Sequence, residues 1–314
     1  MASWVASSGD LIVDRRYAFA EGFAATGELA AAIEILGDAL GMAPGWAAGW
    51  FRLGEWHQAA GDSAAAIAAW ERALAADPAD MLGAGLKRDL ARAVPVAESM
   101  PSAFVEALFD QYADKFDESL VEKLGYRAPA LLAEALEGRH FARAMDLGCG
   151  TGLSGEAFRA HCDWLAGCDI SAAMLAQAEA KALYDRLDKR DLSAMEVGEE
   201  RFDLILAVDV FAYLGALERI LGWCAGSMAP GGMLAFTVEA GESVPLALRE
   251  SRRFAHSRDY LSEVLAAAGF GTVRMTEAVL RHDRGEEIRG LVVLAEAGAR
   301  GVRRQDDGEG LALA

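Results

Sequence analysis

The chain has 314 residues, 53% of them hydrophobic, and a formal charge of −18. That length suffices for two modest domains, and that apolar content excludes a disordered protein. A negative field of this size repels phosphate backbones, which argues against a nucleic-acid enzyme. No apolar run approaches a membrane span, because the best, Leu204 to Leu217, is broken by Asp209. Met1-Ala2-Ser3-Trp4 shows no basic region before an apolar core, so no secretory signal is expected. The four cysteines, Cys149, Cys162, Cys168 and Cys224, form neither a zinc spacing nor a disulfide grid. No metal is expected from them, and a reducing cytoplasm fits.

Residues 1–98 read as a helical domain. A shift of one 34-residue period lays Val13 to Trp46 on Ala47 to Asp80. Gly27 then falls on Gly61, Ala32 on Ala66, Ala39 on Ala73 and Pro44 on Pro78. The second copy also carries Trp50, Leu53, Gly54, His57 and Trp70. Small residues at Gly54, Ala66 and Ala73 let two antiparallel helices approach, and the proline ends the second. The pattern resembles the tetratricopeptide repeat, from which the first copy departs with Arg16 where tryptophan is expected. Leu82, Leu86, Leu90 and Ala93 recur at helical spacing and predict a capping helix. Pro95 to Pro101 reads as a linker. The repeats offer either a groove for a partner protein or a stabilising appendage.

Residues 101–297 read as a second domain, which opens on a helical bridge. Phe109, Tyr112, Phe116, Leu120 and Leu124 recur every three to four residues, a stripe that ordinarily packs into a core. A short apolar strand follows and ends in Met145-Asp146-Leu147-Gly148-Cys149-Gly150-Thr151-Gly152. The alternating glycines let a ligand approach a turn that a Cβ would obstruct, and the next helix points its positive end there. The dinucleotide spacing G-x-G-x-x-G fails, since Leu153 occupies its sixth position. A second strand, Trp164 to Cys168, ends at Asp169, before Ile170 and Ser171. An ionised carboxylate there can accept two hydrogen bonds from a ribose diol, or simply neighbour a helix cap at Ser171. Asp191-Leu192 follows the charged stretch Tyr184 to Arg190. The fourth strand, Phe202 to Asp209, is apolar enough to be covered on both faces. Met228-Ala229-Pro230-Gly231-Gly232 turns into a strand Met233 to Val238, and a hairpin Val273 to Ala295 turns near Gly285. The tail 298–314 reads as disordered.

Asp146 to Gly152 resembles motif I of the class I S-adenosylmethionine-dependent methyltransferases, and the resemblance runs from about Phe104 to Ala297. It implies that Asp146, Gly148, Cys149, Gly150, Thr151 and Gly152 wrap the methionine end of S-adenosyl-L-methionine. It implies Asp169 and Ile170 at the ribose, and Asp191 and Leu192 at the adenine. Phe109-Asp110-Gln111-Tyr112-Ala113 resembles the helix that folds over the cofactor in small-molecule members, with Tyr112 as the lid. If the acceptor needs a base, Asp209 at the end of strand four, His256 before a helix near Arg258 and Tyr213 are the candidates; Asp209 also reads as a contact for the cofactor's ammonium group, His256 as a surface loop histidine and Tyr213 as a packing residue. The acceptor is a small molecule or a protein, with nucleic acid disfavoured and no membrane. The other reading is a cofactor-binding repeat scaffold whose catalysis is vestigial. The expected fold is α/β, a Rossmann-like seven-stranded mostly parallel sheet with an antiparallel edge hairpin, preceded by the tetratricopeptide-type helices.

Overall fold

The computed structural model describes residues 7–92, 100–242, 244–249, 251–283 and 285–298. Most of the expected linker and nearly all of the expected tail lie outside the described residues. The amino-terminal part is two antiparallel helix pairs, α1 (Leu11–Ala25) with α2 (Leu29–Met42) and α3 (Ala47–Ala59) with α4 (Ser63–Ala76). The second helices of the pairs start and end 34 residues apart, Leu29 to Ser63 and Met42 to Ala76, as the period predicts. Asp10 and Asp62 cap α1 and α4 by accepting from backbone amides one turn on. Gly54 explains the close approach in the second pair, because a Cβ there would stand 2.4 Å from the Trp70 indole nitrogen. The expected capping helix is α5 (Ala84–Arg92).

The bridge is not one helix. After α6 (Ser102–Tyr112) the chain tightens into a 3-10 turn, Ala113–Lys115, and then widens into a π turn, Glu118–Lys123. These changes of pitch shift the phase of the aromatic stripe. Helix α7 (Ala128–Ala135) leads into the sheet.

The α/β part begins with β1 (Phe141–Leu147), α8 (Leu153–Phe158), β2 (Cys162–Asp169), α9 (Ala172–Ala180), β3 (Arg186–Lys189) and β4 (Phe202–Ala207). It continues with α10 (Glu218–Ser227), β5 (Met228–Ala240), β6 (Leu246–Leu248) and β7 (Phe254–His256). It ends with α11 (Arg258–Ala268), β8 (Phe270–Asp283) and β9 (Glu286–Ala297). The seven longer strands stand in the order β3-β2-β1-β4-β5-β9-β8, the first five parallel and the last two an antiparallel hairpin. Two three-residue strands are additional to the expected seven. Glu239 of β5 pairs with Gly290 of β9 and also with Ala255 of β7. A strand has only two edges, so β7 occupies the edge that β4 leaves after Ala207.

Burial alternates along the central strands as a doubly covered sheet requires. Leu204 and Leu206 face one core with Leu132, Phe158 and Leu165, below α7 and α8. Ile205 and Ala207 face the other with Leu221, Cys224, Leu261 and Leu265 from α10 and α11. Each such leucine contributes about 1.5–3 kcal/mol by leaving water. Strand order reverses between β1 and β4, and that switch point opens a crevice at the carboxyl ends of the strands.

Candidate active site

Two cavities fill the crevice. One, of about 230 Å³, lies between the loop after β1 and the ends of β4, β7 and β8; the other, of about 60 Å³, lies beside the end of β3. Both are bounded by Phe109, Gly148, Asp169, Val210 and Tyr213, so one elongated ligand can span them.

The loop after β1 keeps its shape through its own bonds. Cys149 N donates to Cys168 O, Gly150 N to Asp169 Oδ2, and Gly152 N to Cys149 O, each at 2.9 Å. The glycines thus serve conformation and clearance more than donation. Gly148, Gly150 and Gly152 all have positive φ. A Cβ at Gly148 would stand 2.3 Å from Val210, whereas one at Gly150 meets nothing within 4 Å and would project into open space. Cys149 and Thr151 line the larger cavity; Gly152 caps the short α8 from behind it.

Asp169 lines both cavities. Its carboxylate accepts from Gly150 N and Ser171 N, each at 2.9 Å. Two bonds leave acceptor capacity for a vicinal diol. Burial raises its pKa, against the pull of those amides. In the smaller cavity Ile170, Leu192, Val105 and Leu214 form an apolar slot for a flat ring, with Asp191 at its rim. Asp191 is already engaged, by Ser102 Oγ at 2.6 Å and by Ser193 N at 2.8 Å. Burial pushes this carboxyl up, but the Ser102 and Ser193 bonds outweigh it and hold it below the usual range.

Asp146 lines neither cavity. It is fully buried beneath the loop, where Ser154 Oγ and, at 2.7 Å, Tyr184 OH donate to Oδ2. Among the described residues its Oδ1 has no partner. Burial raises its pKa to about 7 despite the two hydroxyl bonds. The structure therefore gives it the underside of the loop, not the cavity wall.

The bridge forms the roof. Phe109, Phe116, Leu120 and Leu124 line the larger cavity. Tyr112, the residue expected as lid, is 45% exposed and lines neither cavity. The helix ends there, and beyond the tighter 3-10 turn Phe116, Leu120 and Leu124 return to the inner face. A polar edge fastens the roof to the sheet. Ser102 meets Asp191; Glu106 meets Lys189 at 2.6 Å; Asp110 meets Ser171 at 2.5 Å; Asp114 meets Gln177 at 3.3 Å. Asp117 accepts from Thr151 and, at 2.7 Å, from Lys181.

The far wall carries charges. Asp209, at φ +60, is held by Arg253 and, at 3.5 Å, by Arg281. Behind them Glu239, 1% exposed, accepts from Arg253 Nε and Arg281 Nη2, each at 2.6 Å. Burial alone would raise the Glu239 carboxyl, but Arg253 and Arg281 hold it below the ordinary range. Arg253 also donates to Tyr213 OH at 2.6 Å. Arg253 and Glu239 went unrecognised as site residues in the sequence, as did Arg281. The available signal was one acid, Glu239, at the end of the apolar run of β5; Arg253 precedes β7 and Arg281 lies in the largely polar β8, where neither stands out.

His256 is neither a surface loop residue nor a wall residue. It sits in β7, fully buried, with Nε2 2.8 Å from Gly215 O, and lines neither cavity. A carbonyl can only accept, so Nε2 carries the proton. Burial lowers its pKa and keeps it neutral. Its helix expectation holds: Ser257 caps α11 at Tyr260 N.

Residues 145–234 match the family described as Methyltransferase domain. Over 162 residues the chain is 28% identical to malonyl-(acyl-carrier protein) O-methyltransferase of Enterobacter lignolyticus, covering 52% of this chain and 63% of that protein. Over 95 residues it is 37% identical to ubiquinone biosynthesis O-methyltransferase of Rhodopseudomonas palustris, covering 29% of this chain and 38% of that protein. The chain thus spans less than two thirds of the length of either relative. The solved structure of the (4+2)-cyclase SpnF superposes with a TM-score of 0.53 at 17% identity, over 63% of this chain and 97% of that one. The match to a methyltransferase domain thus falls within the α/β part, and a helical region precedes it. Among the described residues no helix is long and apolar enough to cross a membrane.

Proposed function

We propose that the protein transfers the methyl group of S-adenosyl-L-methionine to a small-molecule or protein acceptor. The observation that carries this reading is the continuity of two cavities across Asp169. An acid with spare acceptor capacity stands between an apolar slot and a glycine-cleared loop. That order of linings suits an adenine, a ribose diol and a methionine tail in turn. The fit is supported at Gly150, where a side chain would enter the space a ligand needs.

When bound, the cofactor supplies a methyl group made electrophilic by its sulfonium. The residues of this chain orient and shield it. Asp169 holds the diol, Ile170 and Leu192 flank the ring, Asp191 sits at its edge, and the loop from Gly148 to Gly152 surrounds the tail. Phe109 and Phe116 exclude water from above, which favours a displacement governed by alignment. Asp209 is ion-paired and His256 is walled off, so neither serves as a general base in this geometry.

Both relatives are O-methyltransferases by name, which favours an oxygen acceptor here. The helix pairs, with their 34-residue period and tight Gly54–Trp70 contact, support a tetratricopeptide-type appendage. A partner protein in its groove, a cytoplasmic location and the division at residues 98 and 101 belong to the same reading. Nucleic acid remains the less favoured acceptor on charge. The fold alone does not decide methyl transfer, since a cyclase shares it; a cofactor-binding scaffold is the second reading. Calorimetry with S-adenosylhomocysteine tests the first step, and consumption of S-adenosylmethionine in a cell extract tests transfer. Binding without consumption favours the scaffold, and absence of binding removes both readings.

A further inference from the structure

Helix α5 packs on two bodies at once. On one face Ala84 and Ala91 join Ala66, Trp70 and Ala73 of α4. Asp80 fixes this seating, since its buried carboxylate accepts from Ala84 N at 2.6 Å and from Gly85 N at 3.0 Å, the first two amides of the helix. Leu86 stands roughly 200° round the helix from Ala84. There it is buried with Met100, Phe104 and Phe254. Among the described residues Phe104 is the one fully buried side chain of α6, the helix that roofs the crevice. The turn before α5 meets the same ring, because a Cβ on Gly83 would stand 3.0 Å from it. Phe254 follows Arg253, the guanidinium that holds Asp209. The helical region therefore backs both the roof and the far wall, although no residue of α5 lines either cavity.

The front of the same roof helix forms part of the slot for the flat ring, where Ser102, Val105 and Phe109 line the smaller cavity with Ile170, Leu192 and Leu214. Polar contacts hold the edge of α6, and the ion pair among them, Glu106–Lys189, lies exposed, where such pairs contribute little. The buried anchor of α6 is Phe104, and the helical region supplies Leu86 to it. We infer that Leu86 is a positioning residue for the cofactor: α5 seats the roof helix over the slot, so the helical region is a working part of the site and not a detachable appendage. The inference rests on the cofactor reading above. Its physical basis is linkage. If α6 closes on the nucleoside only with Phe104 seated against Leu86, loosening that seat weakens the ligand. The ligand must in return tighten the seat by the same factor. A helix that merely decorates the domain, and lies outside the cavities, would not respond to what fills them.

The test is hydrogen exchange and calorimetry on the full chain with S-adenosylhomocysteine as the probe. Saturation is expected to slow amide exchange at least about five-fold in α5 as well as in α6, while α2 stays within about two-fold. Leu86→Ala is expected to weaken S-adenosylhomocysteine at least about five-fold and to speed exchange in α6. Leu86→Met, which conserves volume, is expected to restore both to within about two-fold. Leu40→Ala, in the buried cluster of the first helix pair, is expected to lower the melting temperature yet leave the affinity within about two-fold. Should Leu86→Ala not fold, the exchange of α5 in the unaltered protein decides. Exchange in α5 that ignores the ligand, or a folded Leu86→Ala protein of unchanged affinity, overturns the inference. Equal loss of affinity in Leu40→Ala overturns it too, since the effect would then report stability and not position. Failure of the unaltered protein to bind S-adenosylhomocysteine instead removes the cofactor reading beneath it.

Discussion

Asp146→Asn separates the two roles open to that acid. In the structure the carboxyl is fully buried, with one oxygen held by Ser154 and Tyr184 and the other without a partner among the described residues. Burial raises its pKa from 3.8 to about 7, which corresponds to roughly 4 kcal/mol at about 1.4 kcal/mol per pH unit. The folded state therefore binds more protons than the unfolded state between those values. Asp146's contribution to stability is fully present below pH 3.8 and is lost as pH rises through about 7. Asparagine cannot ionise, and its oxygen can keep both hydroxyl bonds, although its nitrogen inherits the unpartnered position at a cost of about 1–3 kcal/mol. The variant should gain roughly 1–3 kcal/mol over the parent at pH 8 and little or nothing at pH 4.5. Urea unfolding of both proteins across that range reads the difference directly. Parallel stability curves would refute the burial argument. A stable Asp146→Asn protein that loses cofactor affinity ten-fold would give Asp146 the contact that the motif resemblance implies.

The other substitutions test the site in parts. Asp169→Ala should weaken S-adenosylhomocysteine by about 2–3 kcal/mol or more, measured calorimetrically, because charge-assisted acceptors to the diol vanish. Gly150→Ala should cost about 1–2 kcal/mol of stability from its left-handed backbone and in addition obstruct the cavity; unchanged cofactor affinity would contradict the clearance argument. Tyr112→Ala should leave cofactor affinity unaltered whereas Phe109→Ala should lower it, a contrast that fluorescence titration can read and that the opposite ranking would defeat. His256→Ala should lower the melting temperature yet preserve the pH profile of methyl transfer per folded molecule; a lost acidic limb in that profile would reinstate it as a base.

Local signals carry well from sequence to structure in this protein. The 34-residue period recurs in the bounds of the second helix of each pair, Leu29–Met42 and Ser63–Ala76, because such local patterning is decided within a few residues. The loop from Gly148 to Gly152 was legible for the same reason, since its positive φ values demand glycine whatever surrounds them. Strand four announced its double burial by having scarcely a polar residue. Distant pairings left no such trace. Arg281 meets Asp209 across 72 residues and Glu239 across 42, contacts fixed by sheet register and by which edge each strand takes. The burial of His256 follows from β7 docking on the vacated edge of β5, and the outward turn of Tyr112 from a change of helical pitch. Periodicity and backbone preference act over one or two turns of chain, so the amino-acid order alone determined the longer elements and the glycine loop. Charge pairing and the facing of side chains into a cavity depend on packing between elements, and only the tertiary structure decided which residues line the cavities.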